Sequence, residues 1–194
     1  LLDNLKNIQP KENTEFVWTI EGKDRLYKKI REMITNAQKH IWIKAHESIL
    51  IYFKEALKEA EEKGISILII LFGEIPENFN LGKNTKVYLH EGNGIRIGNA
   101  DNMLTITADF KLALTASLDE KILATYTTNT SFVTMAESLI RHDVYMAEIF
   151  EKFDKELEKE FGPFLSSLRK KYFTSKQIVK YNENIKSFLP KINH

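Results

Sequence analysis

The chain has 194 residues, 43% of them hydrophobic and 28% charged, with 8 glycines, 4 prolines and a net charge of +1. That is the composition of one folded domain with a short appendage, and it excludes low-complexity, collagen-like and transmembrane chains, since the longest strongly apolar run, Ile65 to Phe72, is far short of a bilayer span. The absence of cysteine removes disulfide frameworks, thiolate metal sites and thiol catalysis, so any site must use oxygen and nitrogen chemistry.

Residues 1 to 15 read as the end of a helix followed by a polar linker, and a start at Leu1 rather than methionine reads as a fragment. Phe16 to Ile20 is expected as a strand, ended by Gly22. Leu26, Ile30, Met33, Ile34 and Ala37 then recur at helical spacing, which requires one buried face. Ile41 to Ala45 reads as a strand, Ser48 as the cap of a helix carrying Leu50, Phe53, Leu57 and Ala60, and Gly64 as its stop. Ile65 to Phe72 is apolar on both faces and fits a central parallel strand, completing a β-α-β unit.

After an irregular stretch from Gly73 to Gly82, four short strands are expected at Lys86 to His90, Met103 to Thr107, Leu112 to Ala116 and Ile122 to Thr127. Their spacing leaves no room for helical crossovers, which predicts pairing by hairpins and a mixed sheet. The tightest turn falls at Ala108 to Lys111, and Gly92 to Gly98 reads as a hairpin loop. Thr130 or Ser131 is expected to cap a long helix to about Glu160, burying Phe132, Met135, Ala136, Leu139, Val144 or Tyr145, Ala147, Ile149 and Phe153. Met103, Met135 and Met146 read as core fillers. Gly162 and Pro163 end the helix, and two further helical patterns, Phe164 to about Phe173 and Gln177 to Leu189, form a C-terminal arm. The arm holds Arg169, Lys170, Lys171, Lys176, Lys180, Lys186 and Lys191 against Glu183 alone, which leaves the rest of the chain net acidic and without an electrostatic footprint for nucleic acid. The arm's lysines read either as a solvated helical face or as a contact for DNA or an acidic partner, and its aromatics suggest packing on the body or on a second subunit.

No nucleophile elbow, phosphate loop, dinucleotide fingerprint or His-Glu-x-x-His motif is present. His40, His46, His90 and His142 read as ordinary polar residues at strand ends and on a helix surface. The informative stretch is Asn102 to Asp119. It resembles the phospholipase D superfamily motif, His-x-Lys-x4-Asp, six residues, then Gly-Ser-x-Asn. Asp109 stands at the motif's aspartate, Asn102 at its histidine, Leu104 at its lysine, and Ala116 to Asp119 at its Gly-Ser-x-Asn. In that family the histidine attacks phosphorus and the lysine neutralises phosphoryl oxygens, so the resemblance implies a cradle without its reactive pair. Asp109 has an equally good reading as a turn residue bonded to nearby backbone.

A narrower resemblance covers about residues 15 to 160. Glu15 to Gly22, a helix ending near Ala37, Ile41 to Lys44, the turn at Lys63 and Gly64 into an apolar strand, and Asp109 before a strand are similar to the C-terminal domain of TrmB-family transcriptional regulators. Tyr126 to Asn129, Phe161 to Leu165 and Leu168 to Tyr172 are similar to bacterial members of that group. The resemblance implies an α/β, phospholipase D-like mixed sheet flanked by helices over 16–162, a helical extension over 163–194, and an inactive, cytoplasmic effector-sensing and dimerisation domain. It also implies a homodimer, a small-molecule effector, and DNA contact through a winged helix-turn-helix N-terminal to this chain, with no membrane, metal or cofactor. The β-rich portion of the family's sugar-binding archaeal members is absent here, so sugar specificity does not transfer. The ligand-binding residues expected on this reading are Asn102, Asp109, Ser117 and Asp119, with His46 and Glu47 outside them, and carboxylates there favour a cation or polyhydroxyl compound. The alternatives are a divergent phosphodiesterase that builds a site across a dimer with His46 or His90, and a ligand-free dimerisation module.

Overall fold

The computed structural model describes residues 15–95 and 102–192; the expected linker helix and part of the Gly92 to Gly98 loop lie outside the described residues. Seven strands, β1 (Val17–Glu21), β2 (His40–His46), β3 (Ser66–Phe72), β4 (Thr85–Leu89), β5 (Met103–Ala108), β6 (Leu112–Ser117) and β7 (Leu123–Thr127), form one sheet in the order β1-β7-β6-β5-β2-β3-β4. β2, β3 and β4 run parallel, and β5, β6, β7 and β1 add antiparallel neighbours, so the sheet is mixed as expected.

One expectation fails here: β4 pairs with β3 in parallel, not by a hairpin. The twelve residues between them are just enough for a crossover without a full helix. A 3-10 turn at Pro76–Phe79 drops Phe79 into the core at 2% exposure. Glu61 then accepts the Asn84 backbone N–H at 3.0 Å, and it reaches that position because a Cβ on Gly82 would stand only 2.4 Å from its carboxyl carbon.

Strand alternation sorts the sheet into two faces. Ile41, Ile43 and Ala45 on β2, with Ile67, Ile69 and Leu71 on β3 and Leu104 and Ile106 on β5, pack under α1 (Lys23–Asn36) and α3 (Lys54–Glu62). The stripe Leu26, Ile30, Met33 and Ile34 of α1 is buried as its spacing predicts. Each fully buried Leu or Ile there contributes about 1.5–3 kcal/mol of burial energy. The helix expected after Ser48 is broken instead into α2 (Glu47–Leu50), a 3-10 turn (Ile51–Phe53) and α3, and its cap is His46, whose ring accepts the Ser48 N–H at 3.1 Å.

The other face is covered by α4 (Thr130–Phe161), which packs over β5, β2, β3 and β4. Asn129, not Thr130 or Ser131, caps it by accepting the Phe132 N–H at 3.2 Å. Ala136 and Ala147 are buried as expected, but the rest of the apolar stripe, Val133, Ile140 and Phe150, lies one residue round from the expected Phe132, Leu139 and Ile149. Phe132, Met135, Leu139, Tyr145, Ile149 and Phe153 are exposed, and so is Met103; Met103 and Met135 are therefore not core fillers. Gly162, at φ 75°, ends the helix in a conformation that disfavours any other residue. A 3-10 turn (Pro163–Leu165), α5 (Ser166–Tyr172) and α6 (Ser175–Ile192) follow as the arm. Tyr181 is its buried anchor, at 4% exposure, while Tyr172 is solvent-exposed.

Candidate functional site

β2 and β3 end, and β5 begins, at one edge of the sheet, and this topology gathers most of the expected site residues there. Asn102 precedes β5, and its Nδ2 donates to Asp119 at 2.7 Å; Ser117, at the end of β6, donates its hydroxyl to the same carboxylate at 2.8 Å. These two bonds hold the Asp119 carboxyl below the ordinary aspartate range against the opposing cost of burial, and the Lys180 ammonium of α6 adds the least. His46, the last residue of β2, and Glu47, the first of α2, stand at the same end. His46 is committed locally, its Nδ1 2.8 Å from the Ser48 hydroxyl. Glu47 accepts the Glu74 N–H at 3.2 Å and lies against Gly73, where a Cβ would come within 2.3 Å of its Oε2.

Asp109 is not part of this group. It sits at the opposite end of the β5–β6 hairpin, where its carboxylate accepts the backbone N–H groups of Gln38 (2.9 Å), Lys39 (2.7 Å) and His40 (3.1 Å). Burial would raise its pKa, and these three amides outweigh that and hold it low. The matching lysine position, Leu104, has 0% exposure and faces the α1 core.

Two features at the α4 face were not singled out from the sequence. The first is a charge cluster: Lys44 Nζ lies 2.6 Å from Asp143 Oδ2 and 5.4 Å from the Phe72 ring centre, and His90 Nε2 lies 3.6 Å from Asp143 Oδ1. Burial alone would raise the Asp143 carboxyl, but the hydrogen bond from His90 and the charge of Lys44 together hold it below its ordinary value, and the Lys44 ammonium is the nearer of the two groups. All three side chains are at most 14% exposed, so the cluster is closed to substrate. Lys44 shares its β2 face with His40 and Trp42, and a lysine at period two from buried positions is the signal that a carboxylate had to face it.

The second is a groove of about 450 Å³ beside α4. Thr105, Thr115, Thr125 and Thr127 floor it, and Phe132, Met135 and Leu139 wall it. Threonine at every second position of β5 and β7 was the available clue, because a fully covered sheet face carries aliphatic residues instead. Among the described residues, no three His, Asp or Glu side chains are grouped so as to hold a metal ion.

Residues 16–150 match the family model described as transcriptional regulator TrmB, EBD N-terminal subdomain. Over 167 residues the chain is 28% identical to the Bacillus subtilis (strain 168) protein YrhO, covering 84% of this chain and 59% of that one. Among solved structures, TrmBL2, an archaeal chromatin protein whose structure is described as showing a novel mode of DNA binding, superposes with a TM-score of 0.54 at 14% identity, over 76% of this chain and 58% of that one. Nuc from Salmonella typhimurium, a phospholipase D family member, superposes with a TM-score of 0.51 at 14% identity, over 68% of this chain and 93% of that one. The chain thus spans less than two thirds of the length of YrhO and TrmBL2, and the structural likenesses speak for the phospholipase D-like fold alone. The family match over residues 16–150, most of the chain, places it in the TrmB family of transcriptional regulators.

Proposed function

We propose that this chain is the effector-sensing domain of a DNA-binding transcriptional regulator, catalytically silent, acting as a homodimer and addressing DNA through a winged-helix segment N-terminal to it. The observation that carries the reading is the fate of the two reactive positions. Asn102 holds Asp119 and Leu104 is sealed in the core, so neither of the two motif positions supplies an attacking imidazole or an ammonium. The remaining histidines do not replace them: His46 caps α2, and His90 lies against Asp143 beneath α4.

What is left at the strand ends is a polar receptor. The Asn102–Asp119–Ser117 triad, with His46 and Glu47 at the same edge, offers amide, hydroxyl and carboxylate groups to a cation or a polyhydroxyl compound. Asp109, on the far side, supports the fold rather than the ligand. The Lys180 ammonium of α6 adds a weak attraction at Asp119, so a ligand that engages that carboxylate alters the electrostatic surroundings of the arm. Isothermal titration with cationic and polyol metabolites is the test: binding that is lost in Asp119→Ala, with no hydrolysis of bis-p-nitrophenyl phosphate, supports the reading. Hydrolysis abolished by His46→Ala or His90→Ala would replace it with the phosphodiesterase reading.

A further inference from the structure

We propose that the outer face of α4 and the open sheet beside it are one self-complementary surface, on which two copies of this chain pair with their α4 helices antiparallel. Phe132, Met135, Leu139, Met146, Ile149 and Phe153, with His142 midway, recur at alternating spacings of three and four residues, the pattern of a helix seam built for another helix. The stripe is not needed by the monomer. α4 packs on its own sheet through Val133, Ala136, Ile140, Ala147 and Phe150, one residue round the helix, and leaves Met135 61% and Leu139 49% exposed.

The seam runs about 32 Å, several times the length of a small ligand and matched by a second helix. It stops at Phe153, where a φ of −131° interrupts the helical backbone of α4. Six of these side chains are exposed and Met146 is partly buried; together they supply on the order of 500 Å² of surface, and the groove raises this toward the ~800 Å² per partner of a stable pair.

The two halves of the helix decide the direction. Its first half walls the 450 Å³ groove, and its second half, with Tyr145, Ile149 and Phe153, is a ridge of exposed large side chains. Antiparallel pairing about His142 seats each ridge in the other copy's groove at once, as a two-fold interface requires. Parallel pairing would set groove on groove and leave both unfilled. The surface deepens the paired-regulator reading above by naming the face that pairs, but it is argued from its own geometry.

The test is sedimentation of the full chain, with circular dichroism to confirm folding. The wild type is expected as a dimer, Leu139→Glu and Ile149→Glu as folded species with a dissociation constant raised at least 100-fold, and Glu151→Lys, off the seam, as a dimer. Because the chain has no cysteine, His142→Cys should link two copies on mild oxidation, whereas Met135→Cys should do so only when combined with Ile149→Cys. A dimer unaffected by Leu139→Glu, or Met135→Cys linking to itself while His142→Cys does not, would overturn the proposal. So would a monomeric wild type whose groove takes up an apolar fluorescent probe. Effector titration of the Leu139→Glu monomer keeps the two readings apart: binding there leaves sensing intact whatever becomes of the interface.

Discussion

The Asp109 carboxylate accepts the backbone N–H of Lys39 at 2.7 Å across seventy residues of sequence, so the aspartate that aligns with a phosphodiesterase motif is a brace between the β5–β6 turn and the entry to β2. The brace holds an unfavourable turn. Asp109 and Phe110 adopt φ of 57° and 55°, left-handed values that a hairpin of this twist needs but that phenylalanine rarely accepts. Phe110 is retained there by its ring, 3.7 Å from the ring centre of His40 and edge-on to Trp42.

Replacing Asp109 with alanine removes three charge-assisted bonds and leaves the part-buried His40 amide without its partner, and is expected to cost about 2 kcal/mol in urea unfolding. Because its pKa is depressed in the folded state, the contribution is whole above the ordinary aspartate pKa of about 3.9 and is lost as pH falls through the lower folded value. The gap between wild type and Asp109→Asn should therefore close in acid. Effector binding should survive in the folded fraction, since Asp109 is remote from the Asn102–Asp119 end.

The elements that were legible in the sequence are those with a strong local period. α1 follows from apolar residues at 3.6-residue spacing, β2 from alternating apolar residues, and β3 from an unbroken apolar run. The rotation of α4 was hidden because the helix carries two apolar stripes one residue apart, and periodicity cannot say which one a sheet will take. Glu137 and Asp143 lie on the sheet-facing side although both are acidic; pairing with Lys44 on β2, ninety-nine residues away, explains Asp143, and no local rule reports a partner at that distance. The parallel entry of β4 depended on Phe79 and on Glu61 reaching past Gly82, contacts set by the tertiary structure. At the site, Asn102, Ser117 and Asp119 converge because β5 and β6 are adjacent in register, which hairpin spacing reveals, while Asp109 stands at the other end of the same hairpin for the same reason.

The Lys44–Asp143 pair sits under α4 with each side chain 13% exposed. Asp143→Ala leaves the ammonium buried and unpaired, and thermal or urea unfolding should show a loss of about 3 kcal/mol or more. A joint Lys44→Met and Asp143→Leu replacement should recover most of it. The depressed pKa of Asp143 fixes the pH window: the pair stabilises fully above about pH 4 and fails as the carboxyl is protonated below that.

His40 and Glu137 face each other with Nε2 and Oε1 3.6 Å apart, each atom buried without a hydrogen bond among the described residues. Burial lowers the His40 pKa and raises that of Glu137, so both neutral forms are favoured. A raised carboxyl pKa makes stability fall as pH climbs from about 4.3 through the folded value, and a lowered imidazole pKa makes it fall as pH drops below about 6.5. Glu137→Gln should then be more stable than wild type at pH 7, by about 1 kcal/mol, and equal to it at pH 4. A destabilised Glu137→Gln at pH 7 would show instead that the charged pair is the native form.

Arg169 is the clasp of the C-terminal arm. Its guanidinium pairs with Glu91, donates from Nε to the Phe164 carbonyl at 2.8 Å, and lies 5.6 Å and 5.9 Å from the Phe173 and Tyr181 ring centres, with its side chain 10% exposed. A planar fork that bonds two groups while stacking on rings cannot be replaced by a point charge, so Arg169→Lys should fail almost as badly as Arg169→Ala. Amide exchange in α6 is expected to accelerate at least ten-fold in either variant, corresponding to about 1.4 kcal/mol of local opening, while exchange in β2, β3 and β5 stays at the wild-type rate. That pattern would mark 163–194 as an extension latched to a body that holds its own structure. Faster exchange in β2 and β3 as well would mean that the arm and the sheet unfold as one unit, and the boundary at Gly162 would be a helix end rather than a domain end.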